Sequence, residues 1–239
     1  LLGAAIALFL VILLRTLQAG RIPCQTTYDG LLWSASAALL AYLLVERGFN
    51  NIHTAGFPVA GIAAAVCIHA ALGCNPAIEP PPPTLQSAWF AWRIVVTSIS
   101  YAVFVVAFAL ESAHVTLVGL LPHRMLEHYR IEPDDAARFH RAAHRLALLG
   151  FPLLTLGLVA GAVWTEQTWG RSWSWSPKET WSLGAWTAYA AYLHAMTMPG
   201  WRGGWASALN MLGFACIMMA LLGGDWLARL FAMPGLPTS

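Results

Sequence analysis

Apolar residues in this chain fall in long runs rather than in alternation. Seven stretches carry few charges: 1–14, 29–45, 55–73, 88–116, 146–164, 181–198 and 205–223. A membrane-spanning helix needs about 20 predominantly apolar residues. All seven but the short first run approach that length, and none alternates as a barrel strand would. Backbone groups in lipid must then be satisfied within helices. The pattern predicts an all-α, polytopic transmembrane helical bundle with about seven spans.

Composition supports a lipid solvent. Of 239 residues, 58% are hydrophobic and 10% charged, against about a quarter charged in soluble domains. Mean hydropathy is +0.61. These values exclude a disordered chain and a cytosolic enzyme. A net charge of +2 gives no basic field for nucleic acid. The chain opens inside an apolar run without an initiator Met, which reads as a truncated start. No basic residues precede that run, which argues against a signal peptide.

Basic residues set an expected orientation. Arg124, Arg130, Arg138, Arg141 and Arg145 cluster after the fourth run, so the positive-inside rule places that loop in the cytoplasm. Alternation then puts 74–87, 165–180 and the C-terminus outside. Pro76 and Pro80 to Pro83 make 74–87 an extended connector. The four cysteines form no CxxC, so a zinc ribbon, a redox pair and a covalent haem site are excluded. Cys24 and Cys74 fall in two external loops, where a disulfide and two free thiols both remain open.

The most distinctive segment joins the fifth and sixth of the seven runs. Six of twelve tryptophans lie between Trp164 and Trp186, around Trp169-Gly170-Arg171-Ser172-Trp173-Ser174-Trp175-Ser176-Pro177-Lys178-Glu179-Thr180-Trp181. One reading is an aromatic belt at the headgroup level. The other is an aromatic platform for a flat, apolar, anionic ligand, with Arg171 and Lys178 meeting carboxylates. In an extended segment Trp173 and Trp175 would point to the same side. A porphyrin with two propionates fits that description. Glu166, Lys178 and Glu179 suit either an acid–base dyad or local pairing and helix N-terminal placement.

W-G-x-x-W-x-W-x-P-K-E-T-W resembles the tryptophan-rich haem-handling signature, the WWD motif, of the CcsA/ResC cytochrome c assembly proteins. The flanks agree: Gly150 to Gly157, Gly161 to Trp164, Tyr192-Leu193-His194, Gly200 to Gly203 and Leu212 to Phe214. The stretch from Leu85-Gln86-Ser87 to Ser100-Tyr101 also resembles the family. The resemblance covers roughly 85–224. It implies a membrane protein of an energy-transducing membrane, bacterial inner or thylakoid-type, that receives b-type haem non-covalently. The family presents that haem outside for thioether attachment to the CxxCH thiols of apocytochrome c. If active, such a chain is part of a haem lyase system, working with a CcsB/ResB-like membrane partner. Its main catalytic device would be holding both reactants together. The chain then divides into N-terminal spans over 1–84, a CcsA-like core over 85–224 with the Trp-rich loop at 164–181, and an external tail over 225–239.

Three departures from the family stand out. Its aspartate in the signature is Ser176 here. Arg93 stands where it places an external histidine; arginine cannot ligate iron but can pair with a propionate. Residues 223–239 carry no histidine. The candidate haem contacts are therefore Trp169, Trp173, Trp175, Lys178, Arg171, Arg93, His194 and His69, with His194 the candidate iron ligand.

His194 lies 13 residues past Trp181, about 20 Å below the outer boundary; an ionisable group there is a functional candidate, as is an interhelical hydrogen bond. His114, His140 or His144 could approach it. His69 sits about one turn below the outer end of its run, as a core histidine or a ligand. Glu111 and His114 share a helix face, as a polar pair or the snorkelling limit of their helix. His140 and His144 suit a metal by spacing, or a solvated basic helix at the cytoplasmic surface, with Asp134 and Asp135 at its start.

Two other functions compete with haem delivery. One is a non-catalytic structural subunit of a respiratory or photosynthetic complex, whose platform holds a lipid, quinone, pigment or partner helix. The other is a haem b electron carrier using His69, His114 or His194.

Overall fold

The computed structural model describes residues 1–20, 26–48, 55–77, 87–120 and 133–223. Cys24, His53, Pro80 to Pro83, Leu85, Gln86, His123, Arg124, His128, Arg130 and the tail at 225–239 lie outside them. The described residues form helices and no strand: α1 Leu2–Ala19, α2 Thr27–Gly48, α3 Gly56–Gly73, α4 Ala88–Val115, α5 Pro133–Trp169, α6 Pro177–Ala195 and α7 Gly204–Leu222. A π-helical stretch, Thr116–Leu120, continues α4. Six of these helices are long and apolar enough to cross a membrane. The exception, α6, has 19 residues, but Lys178, Glu179 and a run of hydroxyl-bearing side chains lower its hydropathy.

α4 is the axis of the bundle, packed on α2, α3, α5 and α7. Its N-terminus is capped by Ser87, whose side chain accepts from the Trp89 N–H at 3.2 Å. It meets α5 antiparallel. Small residues let two membrane helices approach closely, and α5 presents three glycines to α4. A Cβ on Gly150 would stand 2.9 Å from the Phe104 ring, one on Gly157 2.5 Å from Thr97 Oγ1, and one on Gly161 3.2 Å from Arg93 Nε. Ser100 Oγ also donates to the Gly150 carbonyl at 2.9 Å.

α6 and α7 form an antiparallel hairpin closed by Arg202, whose Nε donates to the Met196 carbonyl at 2.9 Å. Gly213 of α7 lies under the Tyr189 ring, 2.7 Å from where its Cβ would be. Tyr189 in turn stacks on Phe104 with centroids 3.7 Å apart. α1 buries only Ile12 and is tied to α2 by Arg15 Nε donating to Asp29 at 2.9 Å.

The packing of α4 on α5 gives the bundle two distinct polar ends. Arg93, Trp164 and the Trp-rich loop share one. Glu111, His114, His140 and the α6–α7 turn share the other. Exposed tryptophans mark both: Trp89, Trp92, Trp169 and Trp175 at the first, Trp201 and Trp205 at the second. That is the distribution of membrane-interface belts.

One boundary differs from the sequence reading in a way that matters. The basic segment and the fifth run, 146–164, are not a surface helix followed by a span. They form one helix of 37 residues, because nothing between Pro133 and Pro152 interrupts the helical pattern.

Candidate functional site

The Trp-rich loop is shaped by its two flanking helices. α5 ends where Gly170 takes a left-handed φ of 66° and its N–H reaches back to the Glu166 carbonyl at 2.9 Å. Glycine suits that position because a Cβ would be strained there. Ser172 Oγ donates to the Glu166 carboxylate at 2.7 Å. α6 begins with a capping box: Ser176 accepts from the Glu179 N–H, and Glu179 accepts from the Ser176 N–H, satisfying two orphan donors reciprocally. The same carboxylate oxygen accepts from Ser174 N at 3.0 Å and Ser174 Oγ at 2.8 Å. Glu166 and Glu179 thus hold the loop at its two feet, which favours the local-pairing reading of these acids over an acid–base dyad.

That network holds an unusual residue. Trp175 has φ 56°, a conformation costly to side chains with a Cβ. The segment is therefore not simply extended. Instead of running parallel, Trp173 and Trp175 stand edge-on, with centroids 6.1 Å apart and planes at 80°. Trp175 is 69% exposed and Trp169 55%. Trp173 is half-buried, and its indole N–H has no hydrogen-bond partner. Arg171 and Lys178 are exposed beside them.

Arg93 joins this end from below. Its guanidinium carbon lies 5.4 Å from the centre of the Trp164 ring, a cation–π distance, in room provided by Gly161. Trp164 also meets Phe90 at 5.3 Å. Arg93 and Glu179 attract each other as opposite charges, and Tyr101 OH is 3.1 Å from Ser182 Oγ. The cation is therefore coupled to the acid that holds the loop.

Neither candidate histidine stands at the loop: His69 is the one expected near it, and His194 is expected deep below it. His69 is half-buried on α3, against Gly73, and α3 packs on α2 and α4 rather than on α5 or α6. His194 occupies the last turn of α6, at the opposite end, and its side chain is exposed. His114, His140 and His144 do not gather around it. His114 and His140 meet each other with ring centroids 4.9 Å apart, and His144 meets Tyr192 edge-on at 5.9 Å.

At that second end the charge centre is Glu111, which is fully buried and so not a snorkelling side chain. It accepts from Ser207 Oγ of α7 and pairs with His140 Nδ1 at 2.9 and 3.1 Å. His140 is consequently mostly buried, although it lies among exposed arginines: the face of α5 that carries it turns onto α4, while Arg138, Arg141 and Arg145 look outward. Sequence reasoning missed the hub role of Glu111 and Glu179. The signal for Glu179 was Ser176-x-x-Glu179 before an apolar run. Glu111 signalled itself only as a lone acid after more than twenty residues of span.

With this geometry in hand, comparison with known proteins is specific. The chain matches the family model described as cytochrome C assembly protein over residues 25–231. A cytochrome c biogenesis protein CcsA of Prochlorococcus marinus (strain MIT 9303) is 32% identical over 239 residues, covering 89% of this chain and 75% of the relative. The CcsA of Synechococcus elongatus is 31% identical, covering 90% and 79%. That of Guillardia theta is 28% identical, covering 95% and 81%. This chain belongs to the cytochrome c assembly protein family, and it is an integral membrane protein.

Proposed function

We propose that this protein handles haem for cytochrome c assembly, and that the loop between α5 and α6 is where a porphyrin rests. The observation that carries the reading is the tryptophan loop itself. It offers exposed indole faces from Trp169 and Trp175, a buried and unpartnered indole N–H on Trp173, and Arg171 and Lys178 at its rim. Flat aromatic faces suit a macrocycle, and guanidinium and ammonium groups suit its propionates. Arg93 serves as a further propionate partner, held in place by Trp164.

The residues at this end fit the ring and carboxylates of haem; among the described residues they supply no imidazole for its iron. The axial ligands there come from another polypeptide, such as a CcsB/ResB-like membrane subunit or the acceptor apocytochrome itself. His194, exposed on the outer face of α6, is placed to ligate iron only with a partner side chain from outside this bundle. Haem b, when bound, would supply the two ring vinyl groups across whose double bonds the apocytochrome thiols add. This chain's residues orient the ring and screen it from water, so that the gain is proximity. The loop faces the external side of the membrane.

A second reading, a structural subunit without haem, is favoured by Ser176: in place of the family's acid stands a hydroxyl used as a helix cap. The two are separated by complementation. Expressed in a bacterium lacking its own CcsA, the chain restores covalently haem-stained cytochrome c, and Trp173→Ala with Trp175→Ala abolishes it. No restoration by the wild-type chain, expressed with its cognate partner, favours the structural subunit.

A further inference from the structure

A polar cluster stands at the end of the bundle opposite the tryptophan loop. Glu111, His114 and His140 each offer a ligand atom, and these atoms lie within 4.8 Å of one another. Two come from α4 at i and i+3, the third from α5. The orientation of the two imidazoles is more telling than their proximity. His114 Nδ1 lies 2.8 Å from the Ala136 carbonyl. A carbonyl only accepts, so Nδ1 carries the proton and Nε2 keeps its lone pair. His140 Nε2 lies 3.0 Å from the Arg202 carbonyl, so Nε2 is protonated and Nδ1 is the nitrogen turned to Glu111. Each histidine thus donates from one nitrogen to a backbone carbonyl; the other is turned to Glu111 in His140 and keeps its lone pair in His114. Metal-ligating histidines are typically fixed this way, with the second ring nitrogen held by a carbonyl or carboxylate. The carboxylate is likewise braced, by Ser207 Oγ.

We propose that Glu111, His114 and His140 form a binding site for a first-row divalent transition metal, with Glu111 carboxylate, His114 Nε2 and His140 Nδ1 as ligands. Two imidazoles and one carboxylate suit Zn²⁺ or Fe²⁺ rather than Mg²⁺ or Ca²⁺, which prefer oxygen. The metal takes the place of the proton between His140 Nδ1 and Glu111, and that proton leaves to water. The two atoms stand 2.9 Å apart, and all three ligand atoms lie within 4.8 Å of one another; metal bonds of about 2.0 Å at tetrahedral angles need about 3.3 Å, so metal binding opens the Glu111–His140 pair by a few tenths of an ångström and draws His114 in. Three protein ligands leave a fourth position open. The site would clamp α4 to α5 and, through the Arg202 carbonyl and Ser207, to the α6–α7 hairpin.

The test uses the full-length, tag-free protein in detergent, stripped with chelator, loaded with Co²⁺ and desalted. The expected result is one retained equivalent with the visible d–d absorption of a tetrahedral or five-coordinate ion. His114→Ala and His140→Ala each lower the affinity by at least tenfold. His140→Cys restores binding with a new thiolate-to-cobalt charge-transfer band. His114→Gln leaves the Glu111–His140 pair intact, so it decides the matter should the His140 variants fail to fold: lost cobalt supports the site. No retained cobalt in the wild type, or equal retention in His114→Gln, overturns it.

Discussion

Removing the carboxylate of Glu179 should open the tryptophan loop without unfolding the bundle. One of its oxygens accepts from Ser174 N at 3.0 Å, Ser174 Oγ at 2.8 Å and Ser176 N at 3.3 Å. Hydrogen bonds to charged groups contribute about 1.5–3 kcal/mol each when well formed, and a lost cap about 1 kcal/mol. The group is half-buried and the longest contact is weak, so solvent screening reduces the sum. We expect about 2 kcal/mol for local opening in Glu179→Ala, roughly a 30-fold larger open population. The assay is hydrogen exchange at the Ser174 and Ser176 amides in detergent, read against amides in the centre of α4. Exchange at the loop should rise about 30-fold while α4 is unchanged. Glu179→Gln keeps a neutral acceptor compatible with the capping box, so its rise should be smaller. Unchanged loop exchange in Glu179→Ala would refute the claim that this acid holds the loop.

The remaining predictions concern strain, packing and the buried pair. Trp175→Gly relieves the left-handed backbone, raising stability by about 1 kcal/mol in thermal unfolding, while weakening haem binding in a titration; a loss of stability contradicts the strain. Gly157→Val drives a side chain into Thr97 and costs about 1–3 kcal/mol through overpacking; Gly30→Ala, with open space around it, shifts the unfolding midpoint little. His140→Ala strands a buried carboxylate and costs about 3–5 kcal/mol, most of which the double variant with Glu111→Leu recovers. Equal destabilisation of single and double variants in the same unfolding assay would dissolve that coupling.

The helices were readable because lipid leaves a chain few options: long apolar runs at 29–45, 55–73 and 205–223 each became one helix of nearly the expected extent. α5 was misjudged because hydropathy ends at the membrane surface while helical hydrogen bonding does not. The runs could not say how helices pair. The stripe of Gly150, Gly157 and Gly161 has meaning only once Phe104, Thr97 and Arg93 are seen across from it. The tryptophan loop was legible as chemistry from its residue types, and Arg93 through the family resemblance; the structure sets Arg93 against Trp164 at the foot of that loop. The fates of His69, His140 and His194 were not, because which face of a helix turns inward depends on its neighbours. A histidine on a uniformly apolar helix carries no periodic signal of its own. Glu111 shows the converse: its burial goes with two partners on two other elements, His140 on α5 and Ser207 on α7, neither of which is near it in sequence.

The central claim, that the loop between α5 and α6 carries haem, is tested most directly by titrating haem into the purified protein in lipid nanodiscs. Bound haem would be quantified by pyridine haemochrome and by the reduced-minus-oxidised spectrum. The wild-type protein and Trp169→Ala/Trp175→Ala should be compared side by side, with imidazole present to stand in for axial ligands from a partner. The account predicts saturable binding near one equivalent in the wild type and a loss of at least tenfold in affinity in the double variant. No saturable binding by the wild type, or equal binding by the two proteins, would contradict it.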